Sequence, residues 1–279
     1  MKCSFEFFPP RNAEQELVLQ STWQKLAKLE PGYLSVTFGA GGSTQEATHR
    51  TVLDLIERSG VPVAPHISCM APSLDVLDRL LDTYAEDGVD RLVVLRGDWP
   101  EDADFTPPFR YASELVAHVH QRHPGRFSVE VGCYPEIHPE SESMDSEIRW
   151  FREKVDAGAD AAITQYFFNV DAYFDFVGRC RDAGIDIPII PGIMPITNYT
   201  QLARFSERCG AKIPAALAEK LQSFGDDGAA IRDYGLDVVT KLCEDLVAGG
   251  APGLHFYTLN RANATMKIWQ RLNGGHSSP

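Results

Sequence analysis

Residues 4–10 read Ser4-Phe5-Glu6-Phe7-Phe8-Pro9-Pro10, a single carboxylate set among aromatic side chains in an extended run that a proline pair stops. Side chains alternate faces along a strand, so Ser4, Glu6 and Phe8 share one side and Cys3, Phe5 and Phe7 the other, which fits an interior holding one polar site. Burying a carboxyl among phenyl rings favours its protonated form, which makes Glu6 a candidate acid. An edge-strand glutamate in water is the alternative. The turn that follows, Phe8-Pro9-Pro10-Arg11, contains no glycine and cannot cradle a pyrophosphate as the first turn of an open dinucleotide-binding sheet does. A closed barrel is favoured over such a sheet.

Moving outward, short apolar or β-branched runs alternate with helical periodicity along the chain, without a linker or low-complexity break. The predicted strands are Cys3–Phe8, Tyr33–Thr37, Val63–Ile67, Arg91–Leu95, Ser128–Cys133, Ala161–Thr164, Pro188–Pro191 and Leu254–Tyr257. Between them, Leu74, Leu77, Leu81 and Tyr84, and again Ile231, Tyr234, Val238, Leu242 and Leu246, recur at the three- and four-residue spacing of one helical face. Pro214–Leu221 adds helical material before the last strand. Eight such units in 279 residues predict an α/β protein, a (β/α)8 TIM barrel forming a single domain over 1–272, with a frayed Gly- and Ser-rich tail at 273–279.

With 44% hydrophobic and 23% charged residues the chain can bury one large core. No apolar run reaches a membrane span and Met1-Lys2 leads directly into the first strand, so a soluble cytoplasmic protein is expected. A net charge of -13 argues against nucleic acid, and any anionic ligand must meet local cations. The six cysteines are scattered and are expected as free thiols. His118, His120 and His123 lack the carboxylate or thiolate that would complete a metal set, so no metal is expected. Gly39-Ala40-Gly41-Gly42-Ser43-Thr44 lacks the ending of a P-loop and reads as a flexible turn in which Ser43 or Thr44 caps the next helix.

A barrel carries its site at the carboxyl ends of the strands. The polar residues there are Glu6, Thr37, His66, Arg96-Gly97-Asp98, Tyr134 with His138, Thr164-Gln165-Tyr166 and Asn260-Arg261. They offer hydrogen-bond donors, a cation beside a carboxylate and aromatic surface, without a Ser-His-Asp set, which suits a planar heterocyclic cofactor. Arg96 and Asp98 alternatively form only a structural ion pair.

The blocks Ser4–Pro10, Ser35–Ala40, Ala64–His66, Leu95–Asp98, Tyr134–Pro139, Lys154–Ala159, Ile163–Phe168 and His255–Arg261 resemble, in order, the motifs of the methylenetetrahydrofolate reductase family in its bacterial single-domain form. The resemblance implies an FAD enzyme that takes a hydride from NADH or NADPH and then reduces 5,10-methylenetetrahydrofolate to 5-methyltetrahydrofolate, the substrates using the flavin in turn. It implies that Thr37, His66, Arg96, Gly97, Asp98, Tyr111, Ala112, Tyr134, His138 and Lys154 line the FAD. Gln165, Tyr173 and Arg261 fall where the family contacts folate, and Phe205 where a ring packs on either substrate, a helix core being its alternative. Glu6 is implied as general acid and Asp98 as the ionised carboxylate beside the flavin. The stretch 141–151 departs from the family, with Glu147 and Trp150 where a smaller acidic residue and an amide are expected. A homo-oligomer is expected. The rival readings are a flavin oxidoreductase of the proline dehydrogenase type and a non-redox pterin- or folate-binding barrel.

Overall fold

The computed structural model describes residues 2–38, 45–98 and 105–274. Residues 39–44, with the expected cap at Ser43 or Thr44, lie outside the described residues. The described strands are β1 (Cys3–Phe7), β2 (Tyr33–Val36), β3 (Val63–Ser68), β4 (Arg91–Leu95), β5 (Ser128–Cys133), β6 (Ala161–Thr164), β7 (Ile189–Ile190), β8 (Gly192–Ile193) and β9 (Leu254–Tyr257). The helices are α1 (Ala13–Leu26), α2 (Gln45–Ser59), α3 (Leu74–Glu86), α4 (Ala112–Arg122), α5 (Met144–Asp156), α6 (Val170–Asp182), α7 (Tyr199–Cys209), α8 (Ala215–Ser223), α9 (Gly228–Ala248) and α10 (Ala262–Gly274). Short polar residues start them: Asn12, Ser73, Asn169 and Asn198 each accept a backbone N–H of the first turn that has no partner within the helix.

All the strands pair in parallel, in the order β7-β6-β5-β4-β3-β2-β1-β9-β8. β7 and β8 stand at the two ends of that order and are adjacent in sequence, so the barrel of the predicted class is nearly closed across them. The seventh predicted strand, Pro188–Pro191, is corrected to two pieces flanking Pro191. Proline has no N–H to give the ladder, and its carbonyl instead accepts His255 N at 3.0 Å. β1 stops at Phe7 because the backbone of Phe8 pairs with the Asn260 side chain. Asn273 and Gly274, expected in the tail, belong to α10, where Asn273 Nδ2 donates to Trp269 O at 2.9 Å; the rest of the expected tail lies outside the described residues.

Two cores follow from strand alternation. Phe5, Phe7, Leu34, Val36, Leu254 and Phe256 point outward into the large apolar layer under the helices. The interior of the barrel holds a much smaller apolar cluster of Tyr33, Ala64, Val93 and Ile163. A barrel interior is ordinarily filled by layers of bulky branched side chains. Here polar groups occupy much of that space, including Ser4, Ser35, His66, Glu130 and His255, all of them buried.

Candidate active site

Glu6 stands near the carboxyl end of β1, at the mouth of the barrel. Its side chain keeps 18% exposure, and its Oε2 lies 3.4 Å from His66 Nε2 and 3.7 Å from His255 Nε2. Both imidazoles are buried, and neither Nε2 has another hydrogen-bond partner among the described residues. Burial depresses the His66 pKa, more than the neighbouring Glu6 charge raises it, so His66 is neutral near pH 7. Glu6 sits beside Ser35 of β2 and Tyr257 of β9 in strand register. Its backbone is bolted to the end of β9, since Thr258 Oγ1 donates to Glu6 O at 2.5 Å. Asn260 clasps the next turn: its Oδ1 accepts Phe8 N at 3.0 Å and its Nδ2 donates to Phe8 O at 2.9 Å. Leu259 and Asn260 both have positive φ, at 49° and 54°, a bend that carries the chain from β9 to Arg261.

Beside the acid, the ends of β4 and β5 gather cations. The structure does not take the alternative of an Arg96–Asp98 ion pair: Arg96 makes a two-pronged pair with Glu140, at 2.5 and 2.7 Å, and Asp98 is exposed to solvent. The longer reach of a glutamate from the following loop matches the guanidinium fork better than a neighbour on the same turn. Gly97, at φ 81°, is required there, because a Cβ would fall 2.2 Å from Ser68 Oγ. The Tyr134 and His138 rings meet edge to face at 4.6 Å. Burial, and then the nearby Arg96 charge, lower the His138 pKa. Lys154 Nζ donates to Gly132 O at 2.5 Å, and burial lowers its pKa too. Glu147, buried below the loop, accepts His138 N at 3.2 Å and Ser141 Oγ at 2.8 Å.

Thr37 continues β2, its amide bonded to Phe7 O at 2.9 Å. Tyr111 and Ala112 open α4, and the Tyr111 ring stacks on Trp150 of α5 at 5.4 Å. Gln165 is half-buried after β6, its Oε1 accepting Tyr166 N at 3.0 Å while its Nε2 has no hydrogen-bond partner among the described residues. It lines a small groove with Tyr134, Glu136, Ile137 and Cys209. Phe205 is half-buried on α7, beside the Arg204 guanidinium at 5.7 Å, and Arg261 is exposed. Tyr173 does not join this set: it is 2% exposed, stacks on Phe167 at 5.6 Å and donates its hydroxyl to Ile189 O. His118 and His123 pair with Asp78 and Asp82, and His120 with Gly158 O. His255 and Tyr257 are the site residues that sequence reasoning missed, although their alternation on the last strand put both on the face that Ser4 and Glu6 occupy.

Fold and site together define an α/β-barrel protein with the Glu6 carboxyl held between imidazoles at its mouth and Arg96, His138 and Lys154 beside it. A profile described as methylenetetrahydrofolate reductase matches residues 1–273. The 5,10-methylenetetrahydrofolate reductase of Escherichia coli K12 is 38% identical over 96% of this chain and 90% of its own length, and that of Pectobacterium carotovorum 36% over 96% and 89%. The chain belongs to the methylenetetrahydrofolate reductase family. Arabidopsis methylenetetrahydrofolate reductase (NADH) 1 is 34% identical over 96% of this chain, which spans 48% of that protein. A solved structure of an uncharacterized Clostridium thermocellum protein that binds two copies of 5-methyl-5,6,7,8-tetrahydrofolic acid superposes with a TM-score of 0.68 at 16% identity, covering 96% of this chain and 92% of that one. That likeness is one of fold.

Proposed function

We propose that the protein binds FAD across the ends of β2 to β5 and reduces 5,10-methylenetetrahydrofolate to 5-methyltetrahydrofolate with electrons from NADH or NADPH, a supply of methyl groups for methionine synthesis. The observation that carries this reading is the Glu6 carboxyl flanked by two unpartnered imidazole nitrogens at the mouth of a barrel of this family. The donor set fits a flavin dinucleotide. Beyond burial, the Arg96 charge lowers the pKa of both His138 and Lys154, which gathers the three at one rim of a chain whose net charge is -13, an arrangement that favours an anionic ligand such as a diphosphate. Tyr134 and His138 offer ring faces and edges to a planar group. When bound, the flavin accepts a hydride from the nicotinamide and passes it on, so the two substrates use the site in turn.

The residues of the chain do the rest. The carbon to be reduced bridges two nitrogens of a five-membered ring, and it becomes a good hydride acceptor only when a nitrogen is protonated and the ring opens to an iminium cation. Glu6 supplies that proton, a contribution worth typically about 10²–10⁴-fold. Asp98, exposed on the next rim position, favours the cation electrostatically. Gln165 reads the pterin with its amide, a donor and an acceptor side by side, and Arg261 and Phe205 face the remainder of the folate. Action in the cytoplasm as a homo-oligomer belongs to the same reading.

The test is the visible spectrum of the purified protein under anaerobic conditions. The expected result is a yellow FAD protein that NADH or NADPH bleaches and 5,10-methylenetetrahydrofolate recolours. A protein that cannot be reconstituted with FAD, or one whose reduced flavin ignores the folate, would overturn the reading.

A further inference from the structure

A polar column runs through the barrel from Glu6 towards the amino-terminal ends of the strands. His255 Nδ1 lies 2.7 Å from Ser4 Oγ. Ser4 is also the register neighbour of Tyr33, whose pKa burial raises and the Ser4 hydroxyl lowers. Strand register makes this natural, since Ser4 pairs laterally with both His255 and Tyr33. Tyr33 Oη donates to Glu130 Oε2 at 2.5 Å, and the other Glu130 oxygen accepts from Arg91. Glu130 is wholly buried.

The column has a direction. An ionised Glu130 carboxylate can only accept, so the Tyr33 proton points to it. The Tyr33 oxygen is then free to accept from Ser4, and Ser4 Oγ to accept from His255. That places a proton on His255 Nδ1, and in a neutral imidazole it leaves Nε2 as a bare lone pair. This nitrogen is the one aimed at Glu6 Oε2, with no other partner among the described residues. A lone pair there accepts a hydrogen bond from a protonated carboxyl and repels a carboxylate.

We propose that the buried Glu130, acting through Tyr33 and Ser4, fixes the tautomer of His255 and so makes His255 the positioning residue that keeps Glu6 in its acid form. The inference rests on the role of Glu6 proposed above. The other groups facing Glu6 are compatible with it. From β3, neutral His66 can donate its Nε2–H to the same carboxyl oxygen. From β9, Tyr257 stays protonated, chiefly through burial, and donates to Thr164 O at 2.7 Å. From β2, Ser35 contributes only a hydroxyl. During turnover the Glu6 O–H bond breaks as the new N–H bond of the folate forms, and the electron pair stays on the carboxylate. Reprotonation returns the proton that the bare His255 nitrogen favours on Glu6.

The experiment uses the full chain labelled with 15N-histidine, with His255→Gln to assign the His255 signals. The wild-type protein is expected to show His255 protonated on Nδ1 and bare on Nε2. Ser4→Ala and Tyr33→Phe are expected to lose that preference, and Ser4→Thr to keep it. In stopped-flow, reoxidation of the reduced flavin by methylenetetrahydrofolate needs the acid form and fails as pH rises. Its midpoint should fall by about one pH unit in Ser4→Ala, the effect of about one hydrogen bond, and return in Ser4→Thr. A wild-type His255 protonated on Nε2, or a midpoint that stays put while the tautomer changes, would overturn the inference. Absence of flavin, or of any folate-dependent reoxidation in the wild type, would instead strike the proposed function, and the NMR result would still decide whether Glu130 sets the tautomer.

Discussion

Replacing Asn260 tests how the acid is held in place. The side chain is 4% exposed and makes two hydrogen bonds to the backbone of Phe8, at 3.0 and 2.9 Å, two residues beyond Glu6. Phe8 is 37% exposed, so water can partly replace those bonds, and each is worth about 1 kcal/mol rather than the full cost of an unsatisfied buried group. Asn260 also sits at φ 54°, where alanine adds about 1 kcal/mol that asparagine and glycine largely avoid. Asn260→Ala should therefore destabilise the flavin-free protein by about 3 kcal/mol, and Asn260→Gly by about 2 kcal/mol. Urea unfolding at constant slope reads both directly. An Asn260→Ala protein within about 0.5 kcal/mol of wild type, the range of ordinary surface changes, would refute the clasp. Equal losses in the two variants would refute the backbone part of the reasoning.

Lys154 is an ammonium whose pKa burial lowers, so the folded state binds its proton less tightly than the unfolded chain does. That cost is present below the usual lysine range and fades as pH rises towards it, so Lys154→Met should stabilise the flavin-free protein by about 1 kcal/mol at pH 7 and lose this gain at high pH. The same variant should release FAD more readily on dilution; a destabilised variant that keeps its flavin would contradict both halves. Gln165→Glu should raise the KM for methylenetetrahydrofolate far more than it slows flavin reduction by nicotinamide, because a carboxylate lacks the donor half of the amide. Steady-state and half-reaction kinetics compare the two, and equal losses would mark Gln165 as part of the scaffold.

The barrel was legible because its signals are local. Alternation in Cys3–Phe7 sorts Phe5 and Phe7 outward and Ser4 and Glu6 inward, and the Leu77, Leu81 and Tyr84 spacing fixes α3, all as observed. The break at Pro191 was harder to see, because Pro188–Pro191 reads as one apolar run, and only pairing separates Ile189–Ile190 on β6 from Gly192–Ile193, beyond that run, on β9. The acid could be picked out from its aromatic surroundings in sequence, but its partners could not: His255 lies 249 positions further on, and only closure of the barrel brings it to Glu6. The Arg96–Glu140 pair joins the ends of two strand units 44 positions apart, and neither residue lies in a periodic segment that would show the contact. Tyr173 has the residue type of a ligand contact, yet helical periodicity turns it into the core.

The central claim is that Glu6 is an acid needed for one half of the reaction only. Hydride transfer from the nicotinamide requires no ring opening, whereas folate reduction begins with protonation. Glu6→Gln keeps the shape of the side chain and removes its acidic proton. Anaerobic stopped-flow of each half-reaction should show a variant that binds FAD and is bleached by reduced nicotinamide at close to the wild-type rate, with reoxidation by methylenetetrahydrofolate slowed by about 10²-fold or more. A Glu6→Gln enzyme that reduces the folate within about threefold of wild type, against that expected loss for removing a general acid, would contradict the account.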